Sequence, residues 1–270
     1  MSTNTVEEEL TEAERTNQTR NKGKPDGLFR ACMDEIKNSH SIGQALRNAF
    51  IAAGLLTDLK SYSEMLSQFY SATQVLEERI AKSKKQTDGE YKFVQKILTT
   101  VDYNFVKGYE ADLEELLGSE WKDKSEAYMT DPAKEYQERL KIAKEEELIA
   151  AIFILWGPLI IGGGPALKPK VQKAFGKDAT NVSTDVIGKG RAERRMAFIN
   201  EFDDLLENEG LDEDKKKALF NHIVKYSGEL MNLNNDMMSA VKESPGMFKR
   251  FTAAMSLVYG LFASKLIKSS

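Results

Sequence analysis

Apolar residues recur at intervals of three and four along most of this chain, which predicts helices, and nowhere do they alternate at period two for long enough to make a strand. The first helix is predicted over Leu28–Ala53, with Phe29, Met33, Ile36 and His40 on one stripe. The second covers Thr57–Ser83 and turns Leu59, Met65, Leu66, Phe69, Tyr70, Val75 and Leu76 inward. Tyr91–Leu117 reads as a third unit, broken near Gly108. Pro132–Lys144 follows, its start marked by Thr130-Asp131-Pro132, a capping residue ahead of an N-terminal proline. Glu145–Phe175 reads as one long helix, and Ala192–Glu207 and Asp212–Val241 complete the set. The segment Gly176–Gly190 carries Gly, Asn, Ser, Thr and Asp without periodicity and reads as a loop. The pattern is that of a single-domain, all-α helical bundle over about residues 26–245.

One stretch departs from amphipathic patterning. Ala150–Leu167, AAIFILWGPLIIGGGPAL, contains neither a charged side chain nor a hydroxyl. Each glycine in a helix interior costs roughly 1 kcal/mol relative to alanine, so the run Gly162-Gly163-Gly164 needs a reason. The usual one is close approach, because without a Cβ the backbone can lie against another helix or a flat ligand.

Composition narrows the function. With 270 residues, 30% charged and 41% hydrophobic, the chain can bury a sizeable core, and its net charge of −4 argues against a nucleic-acid partner. A single cysteine, Cys32, excludes an intramolecular disulfide and a zinc site built on cysteine pairs, and suits a reducing, cytoplasmic setting. Residues 1–25 are polar, lack the apolar core of a secretory signal and read as a disordered tail. Residues 246–270 read as an amphipathic terminal helix, with Phe248, Phe251, Met255, Val258 and Phe262 on one face. The alternative there is a short membrane anchor of the endoplasmic-reticulum tail type over residues 251–267, interrupted by Lys265.

The chain has two histidines, which limits the candidate chemistry. His222 sits on a helix edge. His40 continues the apolar stripe of the first helix, with Gly43 leaving space one turn away and Gln44 four residues on, placed to hydrogen-bond Nδ1. An imidazole oriented in that way presents Nε2 to a metal or a heme iron; the plainer alternative is a satisfied core histidine. No Glu-x-x-His pair occurs, so a ferritin-like di-iron site fails, and the glycine run lacks P-loop spacing. The acidic runs Glu145-Glu146-Glu147 and Asp212-Glu213-Asp214 fit solvated faces or helix starts. Two helices facing each other across a flat, hydrophobic cofactor would account for both His40 and the glycines.

Several segments, in order, resemble the heme oxygenases. They are Lys37-Asn38-Ser39-His40, Tyr70, Leu76-Glu77-Glu78-Arg79-Ile80, Leu113–Trp121 (LEELLGSEW), and Thr130 with Tyr136, Arg139 and Leu140. Trp156-Gly157-Pro158-Leu159 then leads, with one extra residue, to Gly162–Gly164, and Leu167-Lys168 and Gln172-Lys173-Ala174 follow. The resemblance covers about residues 26–235 and implies a heme-oxygenase-like helical bundle with heme as substrate and cofactor. It implies opening of the macrocycle to biliverdin, carbon monoxide and ferrous iron, with electrons from a reductase or ferredoxin partner. It further implies His40 as axial iron ligand, and His40, Gly162 and Gly163 as catalytic positions. Gln44, Gly157, Gly162, Gly163, Gly164 and Arg195, with Arg194 as alternate, would hold the heme. Pro158 stands where the family carries a distal aspartate, Ile154 where it carries an arginine, and Ile199 at a second basic position. A heme-binding or interaction protein of the same fold with altered or absent catalysis is the alternative.

Overall fold

The computed structural model describes residues 23–53, 58–87, 89–161, 164–207 and 209–241, and every regular element among them is helical. The terminal helix or anchor expected over 246–270 lies outside these residues, as does all of the expected tail except 23–25. Among the described residues, no helix is long and apolar enough to cross a membrane.

In chain order the helices are α1 (Leu28–Ala53), α2 (Leu59–Ser83), α3 (Lys92–Thr100), α4 (Phe105–Leu117), α5 (Trp121–Ala127) and α6 (Asp131–Ile142). There follow α7 (Glu145–Ala151), a π-helical turn (Ile152–Trp156), α8 (Gly157–Ile161), α9 (Gly164–Phe175), α10 (Asn181–Thr184), α11 (Arg191–Asp203) and α12 (Glu213–Ser239). The segment from α7 through the π turn is the axis of the core, with Leu148, Ile149 and Trp156 completely or almost completely buried. Around it, α2 packs on α4 and α6, and α12 lies along α1 and α7.

The α1–α12 contact fixes how α1 is turned. Gly228 lets the two helices close up, since a Cβ there would come 2.8 Å from Glu35 Oε1. Further along, the Ser39 hydroxyl donates to Asn232 Oδ1 (2.6 Å) and Asn235 Nδ2 donates to the Ser39 carbonyl (2.8 Å). The buried face of α1 is Leu28, Phe29, Cys32 and Ile36, while Met33 is 37% exposed. Cys32 therefore takes the core position that the sequence pattern assigned to Met33. Burial pushes its thiol up to about 12.

Three boundaries differ from expectation. The third predicted unit breaks at residues 101–104, ahead of Gly108, because Asn104 caps α4 by accepting from the Lys107 N–H (3.0 Å). Gly108 lies inside α4 instead, where a Cβ would sit 2.8 Å from the Val182 Cα. The segment read as a loop contains α10, and the stretch before Thr130 contains α5.

A repeated device holds these helices together. The first N–H groups of a helix have no partner inside it, and they attract negative charge. Here carboxylates from distant elements supply it. Asp203 accepts from Lys24 N (2.6 Å) and Phe29 N (3.0 Å) at α1. Glu145 accepts from Phe93 N (2.6 Å) and Val94 N (3.1 Å) at α3. Glu77 accepts from Phe105 N (2.7 Å) and Val106 N (3.2 Å) at α4. Asp112 does the same at α10, taking Asn181 N (2.6 Å) and Val182 N (3.2 Å).

Burial outweighs these hydrogen bonds in setting proton affinity. Desolvation raises Glu77 and Glu145 each to about 7 from an ordinary 4.5. The folded state thus keeps a proton that the unfolded chain releases near 4.5, so the associated stability is complete below that pH and is lost as pH rises through about 7. The urea midpoint should fall between about pH 5 and about pH 8, and a Glu77→Gln/Glu145→Gln double variant should flatten that fall. An identical slope in the variant would show that these two groups do not set it.

Candidate functional site

Pro158 shapes the apolar helix that carries the glycines. Proline has no N–H to donate and its ring crowds the carbonyl four residues back. The preceding turn widens in response, and the Gly157 N–H donates to the Ile152 carbonyl, five residues back. All five side chains of the π turn, Ile152 to Trp156, are buried. The expected single helix Glu145–Phe175 is therefore a series of segments, with Pro158 after the π turn and Pro169 inside α9.

Around this helix, four aromatic rings set the packing. Phe29 of α1 meets Phe153 edge-on (5.7 Å between centroids) and Phe198 of α11 (6.4 Å). Phe202 completes the group, 4.7 Å from Phe198 and 5.6 Å from Phe153. Both α1 and α8 pack on α11. From this cluster α1 runs eleven residues from Phe29 to His40, and the apolar helix runs eleven from Phe153 to Gly164. His40 is half-buried, and its neighbour Ser39 is tied to α12.

The sequence-derived positions distribute as follows. Gly157 is buried and faces Phe198, and a Cβ there would lie 3.7 Å from the ring edge. Gly164 opens α9, while Gly162, Gly163 and the side chain of Gln44 lie outside the described residues. Ile154 and Ile199 are core residues, 2% and 0% exposed, so neither position reaches a surface where a cation would be stable. His222 lies at the surface, its Nε2 3.6 Å from Glu147 Oε1 and its ring stacked on Tyr226. Among the described residues, no group of three or more His, Cys, Asp and Glu side chains could hold a metal ion.

The first turns of α11, the helix that packs on α8, carry three arginines. Arg191 Nη1 donates to the Leu159 carbonyl (3.2 Å), and desolvation lowers its proton affinity. Arg194 donates to the Lys189 carbonyl (3.0 Å) and to Tyr103 Oη (3.3 Å), its guanidinium 5.8 Å from the Tyr103 ring centre. Arg195 is half-buried, and its Nε is fully enclosed without a hydrogen-bond acceptor. Among the described residues, neither Arg194 nor Arg195 pairs with a carboxylate. A buried guanidinium nitrogen lacking an acceptor is costly, and an anionic group brought by a ligand would relieve that cost. Sequence reasoning named Arg195 and Arg194 but missed Arg191, whose signal is its place four residues before Arg195 on the same helix face.

The heme oxygenase family model, described as "Heme oxygenase", matches residues 30–240. The chain belongs to the heme oxygenase family. Its fold is similar to that of heme oxygenase 2 from Chlamydomonas reinhardtii, solved without heme, with TM-score 0.70, 20% identity, and coverage of 82% of this chain and 100% of that one. It is also similar to heme oxygenase-1 from the cyanobacterium Synechocystis in complex with heme (TM-score 0.64, 18% identity, 87% and 99% covered). Heme oxygenase-2 from Synechocystis, in complex with heme and NO, gives 0.63, 20% identity, and 80% and 85% covered. A search of curated proteins gave no match. The expected all-α heme-oxygenase-like bundle is thus the fold of this family member.

The Gly157 geometry gives a direct test. A methyl group there makes ordinary contact with Phe198, so Gly157→Ala should change stability by no more than about 1 kcal/mol, measured by urea denaturation. A loss several times larger would mean that the Phe198 ring packs too tightly on Gly157 to admit a methyl group.

Proposed function

We propose that this protein binds heme between α1 and the glycine-bearing helix and opens the macrocycle to biliverdin, carbon monoxide and ferrous iron. Family membership supports the reading, and the observation that carries it is the enclosed Arg195 Nε without an acceptor, on the helix that packs against both α1 and α8. That nitrogen fits a heme propionate, and the apolar helix beside it fits a porphyrin face. His40 Nε2 would bind the iron, with Gln44 holding Nδ1, and Gly162, Gly163 and Gly164 would let the opposing backbone approach. Bound heme would supply both the iron that takes up electrons and O2 and the ring that is opened. Electrons come from outside, from a reductase or ferredoxin, because the chain carries no flavin or nicotinamide motif.

The chain's own contribution to turnover is narrow. His40 would hold the iron, Arg195 would hold the edge of the ring, and the buried side chains from Ala150 to Trp156 would keep water from that side. Within that stretch only the Trp156 indole N–H can donate a hydrogen bond from a side chain, and it is buried without a partner. Pro158 and its π turn therefore favour a second reading, heme binding with altered or absent ring opening. Any membrane association would reside in residues 251–267.

Hemin added to the full chain should give a sharp Soret band that His40→Ala shifts or weakens. Arg195→Met should weaken hemin binding about tenfold while leaving urea stability equal or higher, because it removes a buried unsatisfied group. Absence of any Soret band would refute heme binding. With hemin bound, an electron donor should convert the Soret band into biliverdin absorbance; a persistent Soret band would favour the binding-only reading.

A further inference from the structure

The glycine-bearing helix is attached to the rest of the bundle in an unusual way. Among the described residues, the most extensive packing of α9 is against α10, a helix of four residues. What holds α10 is therefore what locates the far end of α9. One face of α4 does this, with Gly108, Asp112 and Glu115 spaced four and three apart so that they form a single stripe.

Each member of the stripe grips a different part of residues 177–182. Gly108 admits the Val182 backbone, since a Cβ would lie 2.8 Å from its Cα and 3.0 Å from its N. Asp112, completely buried, accepts from Asn181 N (2.6 Å), Asn181 Nδ2 (2.9 Å) and Val182 N (3.2 Å). Glu115 accepts from Asp178 N (2.7 Å) and Ala179 N (2.9 Å), and its carbonyl receives the Lys177 ammonium. Between the two carboxylates Ala179 is held at φ +24°, a conformation that a non-glycine residue keeps only when its surroundings impose it. The grip passes on to α9 through the Lys168–Asp178 ion pair (2.9 Å), while α2 holds the end of α9 directly, the Phe175 ring lying 5.4 Å from that of Tyr62.

We propose that Asp112 is a positioning residue for the glycine-bearing helix: by holding Asn181 and Val182 on α4 it fixes where α9 lies, and so how firmly the site retains its ligand. The retention part rests on the heme reading above; the anchoring of α9 does not. Asp112 touches neither ligand nor iron in this scheme. It acts through α10.

The experiment compares Asp112→Ala with Gln68→Leu. Gln68 is an equally buried polar tie in a different part of the bundle, donating to the Tyr128 carbonyl (2.6 Å) and accepting from the Thr130 hydroxyl (2.7 Å). Hydrogen exchange on the ligand-free full chain should show amides of residues 164–186 speeding up at least about tenfold in Asp112→Ala and remaining unchanged in Gln68→Leu. Hemin dissociation, timed by transfer to an excess of apomyoglobin, should accelerate about tenfold in Asp112→Ala alone, even where both variants lose similar urea stability. Asp112→Asn, which keeps one acceptor oxygen for Asn181 N, should fall between wild type and Asp112→Ala in both readouts. Equal exchange in the two variants would overturn the anchor. Localised exchange with an unchanged hemin off-rate would overturn its role in retention. If the wild-type chain takes up no hemin, the heme reading fails and exchange alone decides whether Asp112 anchors α9.

Discussion

Buried and half-buried carboxylates that receive the first N–H groups of distant helices are the constraint on which this structure depends. A helix cannot satisfy its own N-terminal donors, and these helix starts are at least partly shielded from water. Asp203, Glu145, Glu77 and Asp112 each solve the problem for a helix far away in the chain. Each therefore does two things at once. It completes a helix and specifies which element that helix must lie against. Apolar packing supplies most of the stabilisation, but it is tolerant of small slides; a carboxylate that must meet two particular N–H groups is not. The cost is a set of partly desolvated acids whose ionisation opposes folding, which ties the stability of the bundle to pH near neutrality.

Much of the fold could be read from periodicity because most helices here are long enough to show it. The ends of α1, α2, α6 and α12 fall within a few residues of the apolar pattern, and Thr130 and Asp212 cap α6 and α12 as their residue types suggest. What escaped was governed by contacts distant in sequence. Glu77 and Asn104 place the break ahead of α4, whereas Gly108, a natural candidate for a break, is needed for the close approach of Val182. Helix α10 has four residues and no side-chain cap of its own, so nothing local announces it. Met33 and Cys32 exchange places because α12 fixes the rotation of α1, and a run of 3.6-residue turns leaves that rotation uncertain by one position.

The candidate site was legible to a similar extent. Composition made the apolar stretch conspicuous, and the scarcity of histidine drew attention to His40. Arg195 emerged by resemblance, and its enclosed Nε gives that choice a physical basis in the structure. Arg191 did not emerge, because only the folded chain brings its guanidinium to the Leu159 carbonyl. Likewise, Pro158 could be seen as a replacement, but not as the cause of a widened turn. Losing an N–H and gaining a π turn are one event: ahead of the proline, the Gly157 N–H reaches back five residues to the Ile152 carbonyl.

The cap on α1 also bears on how the chain is made. The carboxylate that receives the Phe29 N–H lies 174 residues further along, and the helix that α1 beds against begins only at Glu213. A ribosome extrudes the chain from its N-terminus, so α1 leaves the exit tunnel without its cap or its bed and waits for most of synthesis to end. In the interval its buried face, Leu28, Phe29, Cys32 and Ile36, has no native partner from α11 or α12. The first of the described helices is thus among the last of them that can settle, and a nascent-chain binder that shields its apolar stripe would matter most for this part of the protein.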